Sequence, residues 1–318
     1  MKKYLIPEGG KFYKANLHSH TVLSDGKLTP EEMKELYKSH GYSIISFTEH
    51  GRFYNHNDMT DEDFLVLNGY EPSITEEADD PTYHYRRTCH MCMIALDKEK
   101  NEPVKFGNLV REYTPESISK FMTLGREQGF FVTYNHPVWS LERYDDYINY
   151  HGMHAMEIQN YGCVVDGYFE YNEQIYDEML CKGKRIFVLA TDDNHNHNGN
   201  NDSFGGFIMI KADELEYSKI TDALMKGNFY ASEGPEILEL YIDGDEIVGK
   251  CAPAREIRFN TATRKRAYNI AKPGEFVTEC RMKLDDLDPR DKYVRLTVTD
   301  HEGKHANSNA YFFDEILG

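Results

Sequence analysis

Long hydrophobic runs are missing from this chain of 318 residues. No segment approaches the roughly 20 consecutive apolar residues that a helix needs to cross a bilayer. The opening residues, MKKYLIPEGG, also lack the apolar core of a signal peptide. These absences predict a cytoplasmic protein with no membrane-inserted segment.

Positive charge is scarce as well. The chain has 36 lysines and arginines against 54 aspartates and glutamates, which gives a formal net charge of −18 at pH 7. Proteins that bind nucleic-acid polymers or anionic membranes show clusters of basic residues, so neither partner is expected. A small anionic substrate stays compatible with this charge, because a bound metal ion can reverse the local field. The sequence leaves the oligomeric state open.

Cysteine is scarce and scattered, with six residues in the chain. Only Cys89 and Cys92 form a C-x-x-C pair, and no second pair follows at the spacing of a zinc ribbon. Reduced, partly buried thiols are therefore predicted. A Walker-type phosphate loop and a Ser/His/Asp or Cys/His nucleophile arrangement are not evident either.

What the chain does have is a regular alternation of helix and strand patterns. Hydrophobic residues make up 40% of it, which is enough for a sizeable core. The TPEE segment at 29–32 predicts a helix start with a capping box, and TPE at 114–116 predicts another helix start. Strands that alternate with helices are typical of parallel βαβ units, and thus of a barrel or a doubly wound sheet. The predicted buried strands lie at 44–48, 130–134, 155–158 and 186–190.

The pattern changes near Gly234. Beyond it, short alternating runs separated by turn signals predict an all-β region. We therefore predict two domains: a domain of the α/β class at 1–233, and a small β-sheet or sandwich domain at 234–318. The predicted strands of the second domain lie at 238–242, 256–259 and 293–298.

Histidines and carboxylates follow the predicted strands. His18 and His20 lie on one side of an extended segment, because side chains repeat every two residues there. In a parallel α/β fold the carboxyl ends of the strands share one face, so groups at those ends converge. This pattern predicts a metal site. The further potential ligands at strand ends are His50, Glu71, His136, Asp193 and His195.

A resemblance to the PHP family, the polymerase and histidinol phosphatase domain, is carried by five ordered segments: NLHSHTVLSDG, FTEH, GYE, NHP and DDNH. It covers roughly residues 14 to 232. The later segment NFYASEGPEI and the β tail resemble stand-alone PHP hydrolases related to the CehA/McbA group. The resemblance implies a distorted (β/α)7 TIM-like barrel, followed here by the small all-β domain, and a centre of typically three metal ions.

The resemblance also implies a set of metal ligands. The set is His18, His20, Asp25, His50, Glu71, His90, His136, Asp193 and His195. His84 competes with His90 for its place, and Asp192 competes with Asp193. Because mixed imidazole and carboxylate ligands suit zinc, manganese or iron, up to three of these divalent ions are expected as cofactors.

One ion is implied at His18, His20, Glu71 and Asp193. A second ion would share Glu71 and add His90 and His136. A third would take Asp25, His50 and His195.

The function implied is hydrolysis of a phosphate ester of a small molecule, by a phosphatase or phosphodiesterase with a metal-bridged hydroxide as nucleophile. Two alternatives stay open, namely a metal-dependent hydrolase of carboxylic esters or amides, and a metal-binding module without catalysis. The predicted catalytic residues are His18, His20, Asp193 and His195. The candidates for binding the substrate are Arg86, Arg87 and His197.

Two neighbours of the predicted site have other expected roles. Glu157 ends a strand and is expected to hydrogen-bond to a ligand rather than to bind metal. Trp139 follows NHP and lies either at the lip of the cleft or in the core.

Overall fold

The computed structural model of the protein describes residues 2–77, 85–197 and 201–317. Its helices are α1 (Pro30–Ser39), α2 (Pro115–Glu127), α3 (Tyr144–Tyr147), α4 (Tyr161–Val165), α5 (Glu173–Cys181), α6 (Tyr217–Lys226) and α7 (Phe313–Ile316). Its strands are β1 (Lys3–Tyr4), β2 (Lys11–Asn16), β3 (Ile44–Phe47), β4 (Leu65–Tyr70), β5 (Ser73–Thr75), β6 (Thr88–His90), β7 (Met93–Ala95), β8 (Phe130–Tyr134), β9 (Ala155–Asn160), β10 (Phe187–Thr191), β11 (Phe207–Ala212), β12 (Phe229–Ser232), β13 (Ile237–Asp243), β14 (Glu246–Ala254), β15 (Glu256–Thr261), β16 (Arg266–Ile270), β17 (Val277–Lys283), β18 (Tyr293–Thr299), β19 (His305–Ser308) and β20 (Tyr311–Phe312). Within these residues, no helix combines the length and the apolar character that crossing a bilayer requires.

Two helices begin at the predicted capping signals. At α1 the Thr29 hydroxyl accepts a hydrogen bond from the Glu32 amide at 3.2 Å, and the Glu32 carboxylate accepts one from the Thr29 amide at 2.9 Å. At α2 the Thr114 hydroxyl accepts a hydrogen bond from the Ser117 amide at 3.2 Å. These caps satisfy amides that the first turn of a helix leaves free, so local sequence decides where both helices start.

The central strands run mostly parallel, as predicted. β2, β3 and β4 pair in parallel, and so do β8, β9 and β10. β7 lies between the two groups and is antiparallel to both β4 and β8. β7 departs from the parallel βαβ pattern, because the chain between β4 and β7 forms the β5–β6 hairpin instead of a crossover helix.

The two ends of this row of strands meet just beyond β2 and β10. Ser19 and Asn194 form a parallel bridge there. The His20 amide donates to the Asn194 carbonyl at 3.1 Å, and the Asp193 amide donates to the His18 carbonyl at 2.9 Å. These bonds hold the segments that carry His18, His20 and Asp193 side by side. The fold is thus a mixed α/β fold around a large sheet, and the (β/α)7 TIM-like barrel stays a prediction.

The residues beyond 234 are mostly β-structure, as the alternating pattern predicts. β19, β18, β15 and β16 continue the large sheet past β12, while β13, β14 and β17 form a second sheet with β1. Leu240, Ile247 and Leu296 belong to one apolar core that both sheets share. Because β1 pairs with β13, the first strand of the chain packs with this later region. The division into domains at 1–233 and 234–318 stays a prediction.

A buried arginine joins the two regions. Arg295 on β18 is 1% exposed, and its Nη2 atom lies 2.7 Å from both Asp177 Oδ2 and Glu173 Oε1 on α5. Its Nη1 atom donates to the Thr297 hydroxyl at 2.9 Å. A guanidinium this deeply buried is stable only because these partners replace water.

Replacing Arg295 with methionine is expected to lower the free energy of unfolding by about 2–3 kcal/mol, because Asp177 and Glu173 lose their cationic partner while staying partly buried. Urea denaturation measures the change. Arg290→Met is the matched control, since Arg290 is exposed and forms its ion pair with the neighbouring Asp288, and it should leave stability unchanged. Equal losses in the two variants would contradict this role for Arg295.

Candidate metal centre

The side chains predicted as metal ligands come together at the carboxyl ends of the strands. His18 and His20 follow β2, His50 follows β3, Glu71 follows β4, His90 ends β6, His136 follows β8, and Asp193 and His195 follow β10. Each histidine has a ring nitrogen within 3.5 Å of a carboxylate oxygen of Glu71, Asp193 or Asp25. His84, the alternative to His90, lies outside the described residues.

Glu71 lies at the middle of the cluster and is buried. Its Oε1 atom is 3.2 Å from His18 Nε2 and 3.1 Å from His90 Nδ1. The same atom is 3.3 Å from His136 Nε2, whereas Oε2 is 2.9 Å from His50 Nδ1. Burial alone would raise the pKa of Glu71, but the rings of His90, His18 and His136 outweigh it and hold the pKa well below its usual range. Glu71 therefore links two parts of the cluster: Oε1 faces His18, His90 and His136, and Oε2 faces His50.

Asp193 is the second shared carboxylate. Its Oδ1 atom lies 3.1 Å from His18 Nε2 and 3.0 Å from His20 Nε2. Its Oδ2 atom accepts a hydrogen bond from Asn160 Nδ2 at 3.1 Å. The backbone of Asp193 has φ 50°, and that of His136 has φ 24°. Such left-handed conformations are costly for residues other than glycine and cluster at functional sites, where the surrounding structure holds them.

Asp192, the alternative to Asp193, points away from the cluster. Its carboxylate accepts hydrogen bonds from the Tyr37 hydroxyl at 2.6 Å and from the amides of Phe204 and Gly206 at 2.8 Å. These donors use the oxygens that a metal ion would need. The structure therefore brings Asp193, and not Asp192, to the other ligands.

Asp25 closes the solvent side of the cluster. Its carboxylate oxygens lie 3.5 Å from His50 Nε2 and 3.5 Å from His195 Nε2. The loop that carries it is held by buried Glu49, which accepts hydrogen bonds from the Thr21 amide at 3.1 Å and from the Ser24 hydroxyl. Glu49 is thus engaged in shaping the loop.

The SDG turn needs glycine at position 26 for a steric reason. A Cβ atom added to Gly26 would lie 2.2 Å from the His20 carbonyl oxygen, so only glycine fits beside this strand end.

Several buried nitrogen and oxygen atoms of the cluster have no hydrogen-bond partner among the described residues. They are His18 Nε2, both ring nitrogens of His20, Glu71 Oε2 and Asp193 Oδ1. Some of these atoms lie close to one another, but the angles between them are not those of a hydrogen bond. Leaving such atoms unsatisfied costs about 1–3 kcal/mol each, unless another group binds them. Converging imidazole and carboxylate donors of this kind fit divalent transition metals.

Glu157 orients His18, as predicted. Its Oε1 atom accepts a hydrogen bond from His18 Nδ1 at 2.8 Å and from the Thr191 hydroxyl at 2.6 Å. Its Oε2 atom accepts one from the His136 amide at 3.0 Å. With Nδ1 engaged in this way, Nε2 of His18 is the nitrogen that faces Glu71 and Asp193, an arrangement typical of metal-binding histidines.

The cluster opens into a cavity of about 310 Å³. Trp139 lines this cavity with its ring 5.3 Å from the His90 ring and 5.0 Å from the His136 ring, so it lies at the cleft and not in the core. His197, a predicted substrate-binding residue, also lines the cavity, and its Nε2 atom contacts the Asp25 carbonyl.

Arg86 and Arg87, the other predicted substrate-binding residues, lie away from the cavity. Arg87 pairs with Glu76 at 2.9 Å and with Asp146 at 3.1 Å, and Arg86 donates to the Glu76 carbonyl at 2.9 Å. Neither arginine belongs to the cavity lining within the described part of the chain. Their predicted role in substrate binding gains no support from these positions, because Arg87 is engaged by the Glu76 and Asp146 carboxylates and Arg86 by the Glu76 backbone carbonyl.

Two residues near the site escaped the sequence analysis. Cys92 lies beside His18 and Glu71, although its C-x-x-C pattern suggested only a buried thiol. Glu170 accepts hydrogen bonds from the amides of Val138 and Trp139 at 3.1 and 2.7 Å, and so holds the backbone of the loop that carries Trp139 beside the cavity. Cys92 lies two residues after His90 in CHMC, which places both side chains on the same side of an extended segment, and this was the available signal for the first. No local pattern marks the second.

No protein-family model matches the chain, and no curated protein matches its sequence. Among solved structures it is similar to a two-domain protein from Bacteroides vulgatus that is described as containing a predicted PHP-like metal-dependent phosphoesterase. That identity is 16% over 97% of this chain and 98% of the other, with a TM-score of 0.48. It is also similar to a candidate metal-dependent phosphoesterase from Bifidobacterium adolescentis, at 14% identity over 59% and 88% of the two chains and a TM-score of 0.38. An amidohydrolase from Chromobacterium violaceum with bound sulfate and no metal is 11% identical over 68% and 96%, with a TM-score of 0.41.

Proposed function

We propose that this protein is a metal-dependent hydrolase that acts on phosphate esters of small molecules. The observation that carries the proposal is the convergence of six histidines on the carboxylates of Glu71, Asp193 and Asp25 at the floor of one cavity.

We also propose that the seven strands β2, β3, β4, β7, β8, β9 and β10 form the distorted barrel, with residues 234–318 as a second domain.

The charge of the cluster supports an anionic substrate. Its carboxylates, Asp25, Glu71 and Asp193, carry about three negative charges, fewer than the roughly six positive charges of three divalent ions. With neutral imidazoles, the loaded centre keeps a positive surplus although the whole chain carries −18. Bound divalent ions would supply the positive charge that holds a phosphate and would lower the pKa of the water that attacks it.

The residues that line the cavity favour a substrate that the metal centre binds, and not one that basic side chains bind. Lysine and arginine are absent from its lining in the part of the chain that is described. A substrate phosphate would therefore rely on the metal centre for its counter-charge. The volume of about 310 Å³ suits a small ester better than a polymer.

Two histidines that line the cavity, His195 and His197, have different proposed roles. His195 Nδ1 lies 2.9 Å from the Asp193 carbonyl, which fixes the ring so that Nε2 turns toward Asp25. His197 lines the same cavity. We assign His195 to the metal centre and His197 to contact with the substrate.

The proposal is tested by comparing p-nitrophenyl phosphate with p-nitrophenyl acetate after chelation and reloading with Mn²⁺ or Zn²⁺. We expect phosphate turnover that depends on the added ion, with kcat/KM at least about 100-fold above the value for acetate, because charge builds up on the phosphoryl oxygens at the centre. Turnover of acetate without phosphate would favour the carboxylic ester or amide hydrolase. A metal-loaded protein that is inert to a broad panel of esters would favour the non-catalytic module.

A further inference from the structure

Strand β9 lies between two strands that lead into metal ligands, although none of the predicted ligands lies on it. It pairs in parallel with β8 on one side and with β10 on the other. His136 follows β8, and Asp193 follows β10. Two side chains of β9, Glu157 and Asn160, reach the cluster and are 1% and 0% exposed. The strand can therefore act on the centre through these two side chains.

Asn160 uses both ends of its side-chain amide. Its Nδ2 atom donates to Glu157 Oε2 at 3.0 Å and to Asp193 Oδ2 at 3.1 Å. Its Oδ1 atom accepts a hydrogen bond from the Cys163 amide at 3.0 Å and so caps α4. The opposite orientation of the amide would turn its oxygen toward two carboxylates and its N–H groups toward another N–H. Asn160 therefore ties the two carboxylates to each other in one fixed orientation.

Glu157 and Asn160 together hold three donor groups that converge. One ring nitrogen of His18, one of His136 and one carboxylate oxygen of Asp193 lie within 4.8 Å of one another. Glu157 binds the His18 ring at Nδ1 and also accepts from the His136 amide. Asn160 binds the Asp193 carboxylate and the Glu157 carboxylate that holds the other two. Each member of this inner group thus has a hydrogen bond to a side chain of β9.

We propose that Asn160 is a positioning residue of the metal centre, which fixes the inner group of His18, His136 and Asp193 around one ion. This inference rests on the metal centre of the proposed function. An amide N–H group has no lone pair for a cation, so Nδ2 of Asn160 fixes the carboxylates without competing for the ion. Groups that orient metal ligands in this way typically contribute about 10- to 100-fold to metal affinity.

The effect of Asn160 should be confined to one part of the cluster. A second donor group, which reaches the solvent side, consists of His20, Asp25, His50 and His195. The Asn160 side chain bonds to Asp193, to Glu157 and to the amide at the start of α4, and none of these belongs to the second group. Loss of Asn160 should therefore weaken the binding of one ion and leave the ion of the second group in place.

Metal titration tests the inference without relying on activity. The wild-type protein, Asn160→Ser, Asn160→Leu and the control Asn309→Ser are chelated and then dialysed against Zn²⁺ at a series of free concentrations. Bound zinc is counted by elemental analysis. We expect the affinity for one ion to fall by about 10- to 100-fold in both Asn160 variants. Serine keeps an oxygen that can cap α4, so this variant separates the loss of the N–H donors from the loss of the cap.

Asn309 is the matched control, because it is buried to the same degree and its side chain also makes three hydrogen bonds. It is 1% exposed, and its Nδ2 atom donates to the carbonyls of Gly227 and Phe229 at 2.9 and 3.0 Å. Its Oδ1 atom accepts from the Val188 amide at 2.9 Å. Asn309→Ser should lower the stability of the metal-free protein in urea and leave its affinity for zinc unchanged.

Two results would overturn the role of Asn160 alone: wild-type affinity for every ion in Asn160→Ser, or an equal loss of zinc in Asn309→Ser. The serine variant decides the matter even if Asn160→Leu folds poorly. A His18→Ala background gives a second readout, in which Asn160→Ser should cause no further loss of affinity because the ion that it supports is already lost. An undiminished loss in that background would also contradict the role. Wild-type protein that binds neither zinc nor manganese would instead overturn the metal centre itself.

Discussion

Replacing Glu71 with glutamine is expected to remove most of the bound metal and to lower the turnover of phosphate esters by about 10³-fold, or about 4 kcal/mol of transition-state stabilisation. Both oxygens of Glu71 face histidines, with His18 and His90 near Oε1 and His50 near Oε2. An amide is neutral and keeps one oxygen at most for a cation. The substitution therefore weakens two sides of the centre at once.

Glu142→Gln is the matched control for Glu71→Gln. Glu142 is also buried, but it accepts hydrogen bonds from the hydroxyls of Tyr113 at 3.0 Å and Tyr150 at 2.5 Å and takes no part in the cluster. Burial raises the pKa of Glu142 to about 8, so the group is largely protonated at pH 7 and glutamine is a close replacement.

Elemental analysis of dialysed protein and steady-state kinetics measure both variants. The control should keep its metal and its rate. A Glu71→Gln protein that keeps its metal and a rate near that of the wild type would show that the shared carboxylate does not hold the centre.

The parts of this fold that the sequence predicts well are those that depend on neighbouring residues. Thr29 and Thr114 cap helices because their hydroxyls reach amides only three residues away. The predicted strand at 130–134 coincides with β8. The largely apolar run FFVTY begins directly after Gly129 and ends before the polar residues Asn135 and His136. Ligand positions at strand ends follow from the same local reading together with the rule that parallel strands share one face.

The parts that the sequence does not predict depend on contacts between distant residues. β7 reverses direction because a hairpin replaces a helix, and Met93–Ala95 carries no mark of this. Cys92 comes close to His18 only in the folded chain, because the two residues are far apart in sequence and spacing in the chain does not encode their proximity. Arg87 is engaged by Asp146, which is far from it in sequence, so its availability to a substrate could not be judged from charge alone.

The adjacent residues Asp192 and Asp193 show the same limit most clearly. The sequence DDNH offers both as ligands, and local rules do not separate them. The left-handed backbone of Asp193, at φ 50°, is one reason why the two carboxylates point in opposite directions. One joins His18 and His20, and the other binds the amides that follow β10. The difference is one of tertiary structure, and it makes opposite predictions for two nearly identical substitutions.

Asp193→Asn is expected to lose most of the bound metal and to lower turnover by about 10³-fold, while the metal-free protein keeps its stability. Asparagine tolerates a left-handed backbone, and its side-chain oxygen can still accept the hydrogen bond from Asn160. Asp192→Asn should do the reverse. Its new amide group would face N–H donors such as that of Phe204, so we expect the free energy of unfolding to fall by about 2–3 kcal/mol.

The folded fraction of Asp192→Asn should keep its metal, because the Asp192 carboxylate accepts its hydrogen bonds from the Tyr37 hydroxyl and from amides of residues 204–206, and these groups are not metal ligands. Elemental analysis and urea denaturation of both variants give the comparison, with each variant serving as the control for the other. Metal loss in a stable Asp192→Asn protein, or full metal content and rate in Asp193→Asn, would mean that the two carboxylates have exchanged the roles their orientations indicate. The expected pattern, loss of metal in one variant and loss of stability in its neighbour, would locate the function of this segment at a single side chain.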